Sequence, residues 1–141
     1  MTEYKLVIDT PEGTVYDGDA VSVVFDSEDG SIGILANRSP GIIALFPGKI
    51  RIKTLDENEL IGATSSGVVV CKKGYVHILT DDMLWEDEID IERQRLNIKL
   101  NRDRLFAEKY MLHRECVLAN AAIARASARL KTKGIAPFST K

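Results

Sequence analysis

Apolar and polar residues alternate along the first half of the chain and then step by three and four along the second. Tyr4, Leu6 and Ile8 share one face in YKLVI, Val21, Val23 and Phe25 share one in AVSVVF, and Ile50 and Ile52 alternate with Lys49, Arg51 and Lys53. A period of two predicts strands with one face in a core and the other in water. These runs, with GVVV and YVHIL, are punctuated by DTPEG, DSEDG, DENE and CKKG, the spacing of an all-β sandwich or barrel. Leu112, Cys116, Ala119, Ile123, Ala126 and Leu130 fall instead on one stripe of a helix. The run from Asp90 to about Lys109 predicts a preceding helix with a sparser apolar line of Leu96, Leu100 and Ala107. Together they predict an antiparallel hairpin joined near EKYMLHRE. Small residues dominate its stripe, so it buries little area and is expected to dock conditionally.

Gly and Pro sharpen the boundary: nine of ten Gly and three of four Pro fall at or before Gly74, and none lies between Tyr75 and Lys133. The most apolar stretch, Asp29 to Ile52, holds four Gly and two Pro, which excludes a long helix and favours short strands joined by tight turns. The expected division is a β-sandwich over residues 1–87 and a helical arm over 88–141. At 141 residues the chain suits one domain with an appendage, and 45% hydrophobic and 28% charged residues fit a globular protein. No apolar run approaches bilayer length and no signal core opens the chain, so a cytoplasmic home is expected.

Charge divides the chain in the same place. Met1 to Trp85 carries a net −6, whereas Arg93 to Lys141 has 12 basic and 3 acidic residues. A basic, weakly self-packed arm calls for an acidic partner surface. Its few aromatics match no nucleic-acid module.

Chemistry-bearing motifs are sparse. Cys71 and Cys116 lack C-x-x-C spacing, no nucleophile elbow or phosphate loop appears, and His77 and His113 stand without catalytic company. The acidic cluster from Asp81 to Glu92 lacks the spacing and glycine of a calcium loop. It reads as a solvated linker and the start of a helix, where carboxylates complement the dipole.

Three stretches in the right order resemble one family, the ε subunit of bacterial and plastid rotary F-type ATP synthases. In DGSIGILANRSPGIIALFPGKIRI, Gly30, Gly33, Ile34, Leu35, Pro40, Pro47 and Gly48 match the family's pattern, while Ala36, Asn37, Arg38 and Ser39 replace its customary Pro-Gly-His-Ala. Ser65, Gly67, Gly74, Leu79 and Asp81 keep a second pattern, with Ser66 at one of its paired glycines, and TPEGTVYDG resembles a third. The resemblance implies a ten-stranded sandwich that grips the γ subunit by one face. Its turns would rest on the c-subunit ring, with Ser31 and Arg38 facing that ring.

It further implies a non-catalytic coupling subunit, peripheral to the cytoplasmic side of a bacterial membrane through its complex, whose arm restrains ATP hydrolysis. The arm would alternate between a compact hairpin and an extended form whose basic residues, Arg114, Lys131 and Lys133 among them, meet an acidic segment of the catalytic β subunits. ATP, a regulatory ligand in some bacterial members, would be bound by Ile89, Asp90, Arg93, Arg125 and Arg129, although Gln94 stands where the family motif has Ala. Arg125 and Arg129 are spaced to aim from one helix face at the same phosphates. Asp90 would either accept from adenine or cap the helix. Two rival readings use the same residues: a free-standing nucleotide-sensing module, and a scaffold with a basic coiled-coil arm.

Overall fold

Ten strands and two helices account for the alternating and stepped patterns. The computed structural model describes the backbone of residues 2–107 and 113–134 and the side chains of 2–103 and 117–134. In chain order the strands are β1 (Tyr4–Thr10), β2 (Gly13–Ala20), β3 (Ser22–Ser27), β4 (Gly30–Leu35), β5 (Gly41–Leu45), β6 (Gly48–Lys53), β7 (Glu59–Thr64), β8 (Gly67–Lys72), β9 (Tyr75–Thr80) and β10 (Met83–Trp85). A single 3-10 turn, Glu86–Glu88, leads into α1 (Ile91–Ala107), and α2 (His113–Thr132) follows. Two five-stranded sheets, β2-β1-β9-β8-β5 and β10-β7-β6-β3-β4, face each other. Every pairing is antiparallel except β1 with β9.

The inward residues are those the alternation marks. Leu6, Ile8, Val23, Phe25, Ile34, Ile50, Ile52, Val69 and Ile78 are fully enclosed between the sheets. At roughly 25 cal/mol per Å² of apolar surface, this layer is the main source of cohesion. AVSVVF proves to be two elements. Ala20 ends β2 in one sheet and Ser22 begins β3 in the other, while the Val21 N–H donates to the Lys53 carbonyl at 2.8 Å at the crossing. β2, with its polar GTVYDGDA, is an edge strand held by its register on β1. At Gly30 and Gly74 the hairpins turn with φ of 110° and 70°, where a side chain would be strained.

The helices pack antiparallel, and α2 lies along β6 and β7. Of the predicted stripe on α2, Ala119, Ala126 and Leu130 are buried and Ile123 is partly so; the side chains of Leu112 and Cys116, like the joint near EKYMLHRE, lie outside the described residues. The predicted apolar line on α1 is corrected. Leu96 and Leu100 are 54% and 57% exposed, and α1 instead turns Ile91, Gln94 and Ile98 inward, at spacings of three and four. The helical cluster of Ile98, Ala126 and Leu130 is separate from the sandwich core.

Candidate functional site

The two outer sheet faces differ in kind. On the face of β2-β1-β9-β8-β5, cross-strand register aligns Ile42, Val70, His77 and Val7 in one row and Ala44, Val68, Leu79 and Asp9 in the next. Ile42 is 74% exposed, and Ala44, Val68 and Leu79 beside it are exposed as well. A contiguous apolar patch on a sheet surface marks a place where another protein sits. At its margin His77 Nε2 lies 2.6 Å from Asp9 Oδ2, and the Thr14 hydroxyl donates to Asp9 Oδ1 at 2.6 Å. These two bonds, Thr14 first, hold the Asp9 carboxyl below its ordinary range. On the opposite face β6 presents Lys49, Arg51 and Lys53, Arg51 pairs with Glu59 at 3.7 Å, and α2 lies along part of the sheet.

The strand directions sort the turns into two ends. Turns at 11–12, 28–29, 46–47, 65–66 and 81–82 gather at one end, and those at 36–40, 54–58 and 73–74 at the other. Ser31, at the start of β4, donates its hydroxyl to Asp26 Oδ1 at 3.1 Å and belongs to the first end. Arg38 follows β4, donates its N–H to the Leu35 carbonyl at 3.1 Å, and belongs to the second. A six-residue strand spans about 20 Å, so the expectation that both meet one surface does not fit this geometry.

On the arm, Asp90 is the helix cap: its Oδ1 accepts the Arg93 N–H at 3.2 Å, and its carbonyl accepts the Gln94 N–H at 3.1 Å. Ile89 is buried, Arg93 and Lys131 are exposed, and Arg125 is half-buried. Lys133 lines an open groove with Glu59, Trp85, Glu86, Asp87 and Glu88. The side chain of Arg114 lies outside the described residues. Arg129 is not open to solvent as the bare i, i+4 spacing suggested. Its guanidinium donates from Nη2 to Asp82 Oδ2 and from Nη1 to Gln94 Oε1, the latter at 3.4 Å, and its side chain is only 16% exposed. Asp82, read from sequence as part of a solvated linker, is therefore half of an ion pair. Gln94, the departure from the expected motif, is a buried acceptor. That departure was the one local signal of the contact.

Residues 3–86 match the family model described as "ATP synthase, Delta/Epsilon chain, beta-sandwich domain". The ATP synthase epsilon chain of Ruminiclostridium cellulolyticum is 33% identical over 131 residues, covering 92% of this chain and 95% of that protein. That of Persephonella marina is 35% identical over 92 residues, 65% of this chain and 68% of its own. A chain in the Euglena gracilis mitochondrial ATP synthase structure, at 16% identity, shares the fold with a TM-score of 0.78 over 94% of this chain and 82% of that one.

Proposed function

The chain belongs to the ATP synthase delta/epsilon family, and on that premise we propose that it is the non-catalytic epsilon subunit of a bacterial rotary ATP synthase, coupling the γ subunit to the c-subunit ring. The observation that carries this reading is the bare apolar face around Ile42, Val68 and Leu79. That face takes the γ subunit, while the ring meets the end bearing Ser31. Two of the three turns in the Gly- and Pro-rich stretch, 28–29 and 46–47, lie at that end with the exposed Phe46. Membrane association on the cytoplasmic side then comes through the complex. No helix among the described residues is long and apolar enough to cross a membrane.

The arm restrains ATP hydrolysis by presenting its basic residues, Arg114, Arg125, Lys131 and Lys133, to the catalytic β subunits. Co-purification tests both parts. The full chain is expected to come down from detergent extracts with γ and the catalytic subunits; elution alone favours a free-standing sensor. A chain cut after Asp87 keeps the whole sandwich core. It is expected to fold and hold γ while the assembled enzyme hydrolyses ATP faster, and failure to fold would overturn the division at residue 87.

ATP enters this reading as a regulatory ligand of Ile89, Asp90, Arg93, Arg125 and Arg129. Because Arg129 already serves Asp82, phosphates must compete with a carboxylate of the same chain. Calorimetry is expected to give weak ATP binding by the native chain and tighter binding by Asp82→Asn. No heat from either at millimolar ATP removes ATP from the mechanism.

A further inference from the structure

We propose that Asp82, Arg129 and Gln94 form a latch that sets how firmly the helical hairpin is held on the sandwich. The inference goes beyond the subunit assignment and needs only a sandwich and a hairpin. The three residues come from three separate pieces: the turn between β9 and β10, α2, and α1. Asp82 is held in place by sandwich residues independently of the arm. Its Oδ1 accepts the Met83 N–H at 2.8 Å, and its carbonyl accepts the Ser65 N–H at 3.0 Å and the Thr80 hydroxyl at 3.2 Å. Oδ2 is thereby aimed outward, and Arg129 meets it. The other side of the same guanidinium reaches the buried Gln94, so one side chain ties both helices to the sandwich.

The ion pairs Lys5–Asp17 and Arg51–Glu59 and the His77–Asp9 hydrogen bond lie within the sandwich, whereas the ion pair Arg129–Asp82 runs from the sandwich to the arm. The apolar cluster between the helices is small: Ile98, Ala126 and Leu130, with Ile91 and Ile123 at its margin. A charge-assisted bond near this thin cluster carries a share of docking that it would not carry in a large core. Nearly half of the Asp82 side chain remains open to water, so the latch weakens as salt screens it. Since Arg129 holds α1 as well as α2, the hairpin is released as one unit.

Amide exchange on the full-length protein tests this, comparing residues 117–132 with β8. Asp82→Asn keeps an acceptor for the Met83 N–H but removes the charge, and it is expected to speed exchange in α2 about tenfold while β8 is unchanged. Arg129→Gln, which replaces no strand residue, is expected to do the same. Raising salt to roughly 0.5 M should speed α2 exchange in the native chain but not in Asp82→Asn. The charge swap Asp82→Arg with Arg129→Asp is expected to restore protection. Native-like α2 exchange in Arg129→Gln overturns the latch, as does a loss that is indifferent to salt and not rescued by the swap.

Discussion

Ile42→Asp together with Val68→Asp is expected to weaken capture of the γ subunit at least a hundredfold while leaving the sandwich folded. Both side chains point away from the core, Ile42 most of all, and neither belongs to the enclosed cluster, so the substitutions leave the core layer intact. Under a partner the situation reverses. Each carboxylate would lose its water against an apolar surface without a matching donor, a cost of several kcal/mol for the pair on the order seen at interface centres. The measurement is a binding titration with γ beside a thermal melt. Lys53→Ala, on the opposite sheet face, is the control and should bind as the native chain does. Unchanged affinity in the double variant, with its melt intact, would move the γ contact to another surface.

Gly67→Ala is expected to destabilise the sandwich by about 3 kcal/mol or more, beyond the usual cost of overpacking, because nothing nearby can yield. A Cβ at this position would overlap the Leu79 carbonyl oxygen and stand 2.8 Å from the Thr80 Cα. Both belong to the backbone of β9, paired with β8 at that point. Urea titration measures the loss. Gly41→Ala is the comparison: a Cβ there meets nothing within 4 Å, so that change should be neutral or add about 0.5 kcal/mol by narrowing the unfolded ensemble. Equal midpoints for the two variants would mean that β8 and β9 separate more readily than their register implies.

The strands that alternate most cleanly, β1, β3 and β6, were legible because each has one face in a single core. β2 was not, since an edge strand held mainly by backbone pairing leaves little trace in side-chain hydrophobicity. The stripe on α2 was legible for the same reason as β1. The face of α1 was misjudged because Leu96 and Leu100 outweigh Gln94 in any apolar tally, yet Gln94 is the residue enclosed. A polar side chain can be buried when a partner satisfies it, and here the partner is Arg129, 35 positions away. Apolar periodicity does not encode that, and the departure from the motif at Gln94 is its one local trace. Ser31 and Arg38 show the converse limit: they are close in sequence, but an intervening strand carries them to opposite ends of the sandwich.

The parallel pairing of β1 with β9 has a consequence for biosynthesis. Antiparallel neighbours such as β3 and β4 can zip up as soon as their turn is made, but one edge of β1 waits for Tyr75–Thr80. At ribosomal rates of about 5–20 residues per second, that edge stays unpaired for roughly 4–14 s after β1 emerges. An open strand rich in Leu, Val and Ile is a template for unwanted pairing with a neighbouring nascent chain. Lys5 and Asp9, near its two ends, are charged side chains of the kind that disfavour such pairing.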